Sequence, residues 1–392
     1  MSDTRYPSNR RGHIIGWGKA LPERVLTNDE LATLVDTSDE WIRQRTGIAE
    51  RHVAGEGETT FSLSLKAAQD ALHITNLDPI HLDLIIVATV TPDYPFPATA
   101  CLLQDALGAQ HAAAFDLQAG CSGFVYGLSV AAGLLAAGLY RYALVVGAET
   151  LSRITDWTDR TTCVLFGDGA GAVVLESREE PGGILSSVLG ADGSGGELLM
   201  IPGGGSAHPT CAEMVQDRQH FIQMKGQEVF RFATRTMPEA ARQALEKAEL
   251  GVDDVALFVP HQANDRILQT AAKRLGVPED KMFSNLARYG NTSAASIPIA
   301  LCEAIEQERI KRDDVIVLTG FGAGLTWAAA VVRWSLPLPS PTPRRRTIVW
   351  RSLRFRWARL RSRLRRLWRR VDARLFNLRY EQDGRRKRRD EE

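Results

Sequence analysis

The chain has 392 residues, enough for two to three average domains or one large two-lobed domain, and its content of 44% apolar and 24% charged residues is typical of a globular protein. The N-terminus is polar and no run of 18 uncharged apolar residues occurs, so we expect neither a secretory signal nor a membrane-spanning helix. The five cysteines form no CxxC pair, which argues against a zinc site or a disulfide framework and favours a reducing cytoplasm. We expect no metal and no cofactor.

The net charge of +1 conceals two oppositely charged parts. Residues 344–392 contain 19 Arg and one Lys against six acidic residues, a balance of +14, so the remaining 343 residues carry −13. A mildly acidic body is therefore followed by a strongly basic tail, and we interpret the two parts separately.

Short apolar runs along the body predict buried strands, and Ala- and Leu-rich segments between them predict helices. The predicted strands are 82–90, 112–117, 142–148, 171–176, 255–260, 314–320 and 328–334. The predicted helices are 62–73, 122–139, 237–250, 264–276 and 293–308. Nearly continuous apolar strands that alternate with helices are typical of an α/β protein whose sheets are covered on both faces.

The order of elements repeats between the two halves of the body. Gly120, Cys121 and Ser122 follow one predicted strand and precede a helix of small residues, and residues 290–292 (Gly-Asn-Thr) take the same place in the second half. We expect two copies of one α/β unit, packed face to face, with these two turns brought together.

Cys121 is the first candidate nucleophile. It would lie in the first turn of a helix, where the positive end of the helix dipole stabilises a thiolate, and its glycine neighbours leave the sulfur accessible. The alternative is an ordinary buried cysteine that acts as a small apolar side chain. The other four cysteines fit this alternative: Cys101, Cys163, Cys211 and Cys302.

Three further turns carry polar or glycine residues. His261 in VPHQAND follows a predicted strand, at the end where open α/β sheets bind ligands, although a lone histidine is often structural. Asn291 in YGNTSAAS takes the place of Cys121 in the second half, or serves as a helix N-cap. The loop TGFGAGLTW (319–327) could present amides to an oxyanion, or be a plain tight turn. The Gly-rich stretch 190–209 is either a mobile loop near a site or a surface connection.

Six motifs in order resemble β-ketoacyl-acyl carrier protein synthase III, the initiating condensing enzyme of fatty-acid synthesis. They are DTSDEWIRQRTGI (36–48), GCSGF (120–124), DRTTCVLFGDGAGAVVL (159–175), VPHQAN (259–264), YGNTSAAS (289–296) and GFGAGLTW (320–327). The resemblance covers roughly residues 12–335. It implies a thiolase-like, duplicated αβαβα fold with an N-terminal half over 12–176 and a C-terminal half over 177–335.

The resemblance also implies the chemistry. Cys121 would form an acyl-enzyme with an acyl-CoA, and His261 and Asn291 would stabilise the enolate that malonyl-acyl carrier protein gives on decarboxylation. The backbone N–H groups of Cys121 and Ala323 would bind the tetrahedral oxyanion. Many relatives have Gly at the position of Ala323, but only its N–H group is needed.

The same resemblance implies a CoA site. Trp41 and Arg160 would sandwich the adenine, and Arg45 would help to hold the nucleotide end. Asn264 and the backbone near Gly226 would contact the pantetheine arm. The alternatives are that Trp41 is a core residue and that Arg160 forms a surface ion pair.

Two further matches concern partners. Arg266 would belong to a basic patch that meets the acidic carrier protein. Phe96 would cross the interface of a homodimer and close the acyl pocket of the partner subunit. A bulky residue here points to a short or modestly branched primer.

The basic tail departs from the family pattern, which ends near Trp334. A Pro-rich linker, 336–343, precedes it. Within the tail, apolar residues recur at helical spacing, at Trp350, Leu353, Trp357, Leu360, Leu364, Leu367, Val371, Leu375 and Leu378, with Arg over most of the other face. This pattern favours a helix on a membrane surface. A coiled coil with an acidic partner, nucleic acid, the carrier protein and the enzyme's own acidic body are alternative targets.

Three functions are therefore considered. The first is a cytoplasmic, homodimeric condensing enzyme that starts acyl chains. The second is a related enzyme of secondary metabolism with the same Cys-His-Asn set. The third is a scaffold or membrane-binding protein with an inactive enzyme body, against which the intact Cys, His and Asn argue.

Overall fold

A computed structural model of the protein describes residues 9–336 and ten residues of the tail, 360–361, 364–365, 367–369 and 371–373. The strands are β1 (Arg11–Ala20), β2 (Val25–Thr27), β3 (Glu50–His52), β4 (Leu84–Ala88), β5 (Ala113–Leu117), β6 (Tyr142–Thr150), β7 (Asp168–Arg178), β8 (Gly183–Ala191), β9 (Leu199–Met200), β10 (Gln223–Met224), β11 (Val255–Pro260), β12 (Val315–Gly322) and β13 (Thr326–Arg333). The helices are α1 (Asn28–Ala32), α2 (Asp39–Thr46), α3 (Thr60–Thr75), α4 (Thr99–Leu107), α5 (Gly123–Ala136), α6 (Ala212–Gln216), α7 (Gly226–Lys247), α8 (Asp265–Leu275), α9 (Leu286–Tyr289) and α10 (Ser296–Glu306).

Two mixed sheets form the centre of the body. The first has the strand order β1-β7-β6-β4-β5, and the second has the order β11-β12-β13-β8. In the first sheet β1 pairs antiparallel with β7, β7 pairs antiparallel with β6, and β6 pairs parallel with β4. The strands β8, β13, β12 and β11 repeat this order and these directions. The sheets therefore show the internal repeat that the sequence predicts.

The helices cover both faces of both sheets. Side chains of α5 and α10, such as Phe124, Leu128 and Ile297, share one apolar cluster with strands of both sheets, so these helices lie between the sheets. Helices α3 and α4 pack on the outer face of the first sheet, and α7 and α8 pack on the outer face of the second. The result is five layers in the order αβαβα, as predicted.

Several predicted elements differ in length from the observed ones. The strand predicted over 255–260 is confirmed as β11, whereas the helix predicted over 237–250 begins at Gly226 and continues through the buried Pro238. A proline inside a helix removes one backbone hydrogen bond, so it is usually a sign of a helix start. The apolar contacts of α7 with the second sheet outweigh that loss.

Some predictions fall outside what this structure tests. The domain boundary at 176/177 stays a prediction. The strands of the first sheet lie within residues 11–178, and those of the second lie within residues 183–333. The linker from 337 onward and most of the tail lie outside the described residues. The ten tail residues that are described are helical, and five of them have apolar side chains that are 45–66% exposed, namely Leu360, Leu364, Leu367, Trp368 and Val371. Within the described part of the chain, no helix is both long and apolar enough to span a bilayer.

Candidate active site

Cys121 lies in a tight turn, Gly120–Ser122, which joins the edge strand β5 to the central helix α5. The helix begins at Gly123, so the thiol lies just before its first turn, close to the predicted position. Gly120 has φ +54°, a left-handed conformation that favours glycine. The turn is held against the start of β13, because Thr326 Oγ1 lies 2.6 Å from Ser122 Oγ.

His261 is the residue after β11, where its main-chain N–H donates to Thr319 O at 2.8 Å. The side chain is fully buried, and its ring meets Phe321 edge-on at a centroid distance of 5.4 Å. Among the described residues, neither ring nitrogen has a hydrogen-bond partner. Burial lowers the pKa of His261 to about 3, so the imidazole is neutral at pH 7 and one ring nitrogen is free to donate to a ligand.

Asn291 lies in the turn between α9 and α10, the equivalent of the Cys121 turn in the second half. Its main-chain atoms bond to Leu165 O and Gly167 N, which fixes the turn against the first sheet. The side-chain Oδ1 accepts from Ser293 N at 2.9 Å. That bond uses the amide oxygen and leaves the amide NH2 group as the donor available to a ligand.

Two glycines near the end of β12 let the Cys121 turn and His261 approach the same strand. A Cβ atom on Gly320 would lie 3.5 Å from His261 Cβ and 3.6 Å from Cys121 O. A Cβ atom on Gly322 would lie only 2.4 Å from Cys121 N. Any larger residue at Gly322 would push the nucleophile turn away from β12, so the close approach requires glycine.

The two predicted oxyanion donors also lie in adjacent turns. A Cβ atom on Gly120 would lie 2.7 Å from Ala323 N, so the amide of Ala323 directly faces the turn that carries the amide of Cys121. Thr326 Oγ1 donates to Ala119 O at 2.8 Å and further ties the two turns together. Two backbone N–H groups held in this way form a rigid donor pair.

The charge state of Cys121 differs from the expectation. The helix position predicts a thiol pKa below its usual value, but burial raises the pKa of Cys121 to about 12. A hydrogen bond from Ser293 lowers it, and the nearby carboxylate of Glu149 raises it further. The effect of desolvation on the pKa of the sulfur outweighs the effect of the helix dipole. Cys121 therefore rests as a neutral thiol and needs a proton acceptor.

A cavity of 480 Å³ opens onto Cys121. Its lining is mainly apolar and includes Val90, Leu151, Phe166 and Ile222. The Gly-rich stretch 190–209 contributes lining residues to it, so this stretch lies at the site and is not a remote surface connection. Its members in the lining are Gly196, Leu199, Met200 and Ile201.

The residues of the predicted adenine clamp, Trp41 and Arg160, lie side by side without room for a ring between them. The Arg160 guanidinium carbon lies 5.2 Å from the centre of the Trp41 ring, and that of Arg45 lies 5.9 Å away. A ring inserted between Trp41 and Arg160 needs two stacking contacts of roughly 3.5 Å each, so the two side chains would have to separate. Arg160 also pairs with Asp36 at 3.5 Å, as the surface ion-pair alternative requires.

The other predicted binding residues lie around α7 and α8. Asn264 is the N-cap of α8, and its side chain donates to Arg45 O at 3.0 Å, which connects it to the clamp. The exposed Gly226 opens α7, and the exposed Arg266 lies over the Phe230 ring at 5.6 Å. Phe96 is 86% exposed and is absent from the lining of its own chain's cavity.

Two polar residues near the nucleophile were not predicted. Glu149 is the penultimate residue of the buried strand β6 and is fully inaccessible, and Ser293 lines the cavity beside Cys121. A carboxylate at the end of an apolar strand is the signal that could have marked Glu149. Ser293 lies in the motif YGNTSAAS, two residues after Asn291.

The fold and the arrangement of these turns are those of a thiolase-like condensing enzyme, an acyltransferase. Two family models match the chain: 3-oxoacyl-(acyl-carrier-protein) synthase III over residues 115–193 and the C terminal of the same synthase over 245–334. The chain belongs to the β-ketoacyl-acyl carrier protein synthase III family, which confirms the resemblance found in the sequence.

Individual relatives agree with this assignment. The β-ketoacyl-acyl-carrier-protein synthase III of Desulfitobacterium hafniense is 56% identical over 322 residues, 82% of this chain and 97% of that protein. The enzyme of the same name from Natranaerobius thermophilus is 53% identical over 324 residues, 82% of this chain and 98% of that protein. The crystal structure of the 3-oxoacyl-acyl-carrier-protein synthase III of Aquifex aeolicus is 49% identical, with a TM-score of 0.77, and covers 82% of this chain and all of that one.

Proposed function

We propose that this protein condenses an acyl-CoA primer with malonyl-acyl carrier protein to give a 3-oxoacyl-acyl carrier protein, with release of CoA and CO2, and so initiates fatty-acid synthesis. One observation carries the residue assignment. His261 and the Cys121 turn both approach Gly320 of β12, and Ser293, in the turn that carries Asn291, lines the same apolar cavity of 480 Å³ as Cys121.

In the first half-reaction, Cys121 attacks the thioester carbon of the acyl-CoA and becomes an acyl-enzyme as CoA leaves. The oxyanion of the tetrahedral intermediate takes hydrogen bonds from the N–H groups of Cys121 and Ala323. These donors are fixed before the substrate arrives, so they stabilise the charge without reorganisation. The apolar cavity accommodates the acyl chain.

In the second half-reaction, the malonyl group loses CO2 and leaves an enolate at its thioester oxygen. Neutral His261 and the NH2 group of Asn291 donate hydrogen bonds to that oxygen, each worth about 3 kcal/mol in comparable sites. The carbanion then attacks the acyl group on Cys121 and releases the product. The lowered pKa of His261 supports this role, because a neutral imidazole polarises the oxygen without taking up a proton from solvent.

CoA would bind across α2 and α8. In the ligand-bound enzyme, Trp41 and Arg160 stack on the two faces of the adenine and Arg45 meets the nucleotide phosphates. Asn264 and the start of α7 at Gly226 contact the pantetheine arm. Arg266, exposed at the start of α8, meets the acidic carrier protein when malonyl is delivered.

A homodimer follows from the edge of the first sheet. β5 is the edge strand, and its apolar side chain Phe115 is 37% exposed. An exposed apolar edge is a template for another strand, and a second copy of β5 covers it in a symmetric dimer. The neighbouring Phe96 then reaches the partner subunit and closes its acyl pocket.

The basic tail would hold this cytoplasmic enzyme at the inner face of a membrane. Its Trp and Leu residues share one helical face in the sequence pattern, and 19 Arg attract anionic headgroups. Flotation with vesicles of anionic phospholipid, compared between the full chain and a chain that ends at 343, tests this role. Equal flotation of both would exclude it, and retention by neutral vesicles would show that the headgroup charge is unimportant.

Intact-mass measurement tests the condensing activity. After incubation with acetyl-CoA or another acyl-CoA of a panel, the protein should gain one acyl group, located on Cys121 by peptide mapping, and Cys121→Ser should gain no thioester. Addition of malonyl-acyl carrier protein should remove the acyl group and yield the 3-oxoacyl product. A wild-type chain that accepts no acyl group from the panel would contradict the proposal and support an inactive enzyme body.

A further inference from the structure

The buried carboxyl group of Glu149 lies behind Cys121 and takes no part in the two half-reactions described above. Glu149 Oε2 accepts from Thr91 Oγ1 at 2.6 Å, from the Val90 amide at 3.1 Å and from Thr89 Oγ1 at 3.2 Å. Its other oxygen, Oε1, accepts from Ser293 Oγ at 3.1 Å. The side chain is fully inaccessible to solvent. A buried carboxyl held by four donors has one fixed orientation.

Ser293 connects this carboxyl group to the nucleophile. It has φ +47°, an uncommon left-handed conformation for a residue other than glycine, and follows Asn291 by two positions. Its hydroxyl donates to Glu149 Oε1, it lines the same cavity as Cys121, and a hydrogen bond from it lowers the pKa of Cys121. Cys121, Ser293 and Glu149 therefore form a chain of three polar groups, of which Cys121 and Ser293 lie at the wall of the cavity and Glu149 lies behind them.

Two hydrogen-bond patterns satisfy every group in this chain. In the first, the Cys121 thiol donates to Ser293 Oγ, and the Ser293 hydroxyl donates to the Glu149 carboxylate. In the second, the Glu149 carboxylic acid donates to Ser293 Oγ, and the Ser293 hydroxyl donates to the Cys121 thiolate. One proton can pass between the ends without leaving a buried donor unpaired.

We propose that Glu149 accepts the proton of Cys121 through Ser293 during acylation and returns it during condensation. This inference rests on the proposed function. Because Glu149 acts through Ser293, it is a positioning residue for the proton and does not itself touch the substrate.

The proton and electron balance is complete over one cycle. In acylation, the S–H bond of Cys121 breaks as its sulfur bonds to the acyl carbon, and the proton moves to Glu149. The C–S bond to CoA breaks, and CoA leaves as a thiolate that takes one proton from solvent. In condensation, the carbanion bonds to the acyl carbon, the bond to Cys121 breaks, and the departing thiolate regains the proton from Glu149.

The charges around the site fit this exchange. Burial raises the pKa of Glu149 to about 7, against the opposing effect of its four hydrogen bonds, while the pKa of Cys121 is about 12. The other groups that face Glu149 are the hydroxyls of Thr89, Thr91 and Ser293 and the Val90 amide, and all are neutral. A carboxyl group that titrates near neutral pH suits repeated gain and loss of a proton.

Alkylation of Cys121 by iodoacetamide tests this role without any acyl substrate. Rates are measured from pH 6 to 10 by peptide mass spectrometry in the wild type, Glu149→Gln and Ser293→Ala. At pH 7 both variants should react about 10²-fold more slowly than the wild type, because the proton acceptor or its link is lost. Their rates should recover only at high pH, where hydroxide removes the proton.

A purely electrostatic or structural role gives a different result. Removal of the negative charge in Glu149→Gln lowers the pKa of Cys121 and would speed alkylation, and this outcome would overturn the proposal. Unchanged rates in Ser293→Ala, which keeps the charge, would also overturn it. The exposed Cys211 is an internal control for the reagent, and Ser186→Ala removes an equally buried serine hydroxyl that bonds to Ala244 O elsewhere.

Thermal unfolding shows which variants are folded. If Glu149→Gln does not fold, the alkylation rate of Ser293→Ala alone tests the proposal. The acyl-CoA mass measurement remains separate from these rates. A wild type that is alkylated as expected but never acylated would contradict the proposed function and leave the proton relay standing.

Discussion

Gly120→Ala is expected to damage the oxyanion site while leaving the nucleophile in place. A Cβ atom on residue 120 would lie 2.7 Å from Ala323 N and 3.3 Å from Ala323 Cβ. Ordinary van der Waals contact begins near 3.4 Å, so the Ala323 amide has to move by about 0.7 Å. Gly120 also has φ +54°, where an alanine costs roughly 1–2 kcal/mol.

The size of the effect follows from the geometry of the donor. An oxyanion donor works at roughly 2.7–3.1 Å from the charged oxygen, and a displacement of about 0.7 Å takes it out of that range. Loss of one such donor lowers a rate constant by about 10²–10³-fold, or about 3–4 kcal/mol. We therefore expect acylation of Cys121 to slow by at least about 10²-fold, with a loss of about 1–2 kcal/mol in the free energy of unfolding.

The assay is rapid-quench mass spectrometry of the acyl-enzyme with acyl-CoA in excess. Gly138→Ala is the matched control. Gly138 has φ +74°, and a Cβ atom there would meet nothing within 4 Å. It lies beyond the opposite end of α5, roughly 20 Å from the nucleophile turn. The control should lose the same stability and acylate at the wild-type rate.

Two results would refute this reasoning. A wild-type acylation rate in folded Gly120→Ala would mean that the Ala323 amide does not bind the oxyanion. An equal loss of rate in Gly138→Ala would mean that stability, and not the donor pair, limits acylation.

Three further predictions concern the ionisable groups and the CoA site. The pKa of Glu149 is about 7 in the folded state and about 4.5 unfolded, so its contribution to stability is complete below pH 4.5 and is lost as the pH rises through 7. In urea unfolding, the free energy of unfolding of Glu149→Gln relative to that of the wild type should therefore rise by up to about 3 kcal/mol between pH 4.5 and 8. A difference that does not change with pH would argue against the raised pKa. His261→Ala should lower decarboxylation of malonyl-acyl carrier protein by about 10²-fold or more and still form the acyl-enzyme, whereas retained decarboxylation would show that His261 is not the donor. Trp41→Ala should raise KM for acyl-CoA several-fold with kcat nearly unchanged, because stacking binds substrate and transition state alike, and a fall in kcat alone would contradict the clamp.

Local patterns were enough to predict most strands and the three turns of the site. The buried runs around Ile85, Val145 and Leu318 are apolar throughout, and each is a central strand in the structure. Residues whose role depends on a distant partner were harder to predict. β1 was missed because its glycines resemble a loop, yet Cβ atoms on Gly16 and Gly18 would lie within 2.4 Å of the α3 backbone. Those glycines let the helix approach the sheet, which is a requirement of packing.

The sequence alone determined the class of fold and the family and predicted Cys121, His261 and Asn291 as the reacting set, because motif order and apolar periodicity are properties of the chain itself. Tertiary structure decided how the site is charged. Burial raises the pKa of Cys121 in opposition to the helix end, and folding places Glu149 and Ser293 behind it, although 144 positions separate those two residues. Desolvation depends on everything that surrounds a group, so only the folded chain shows that this cysteine rests as a thiol and where its proton can go.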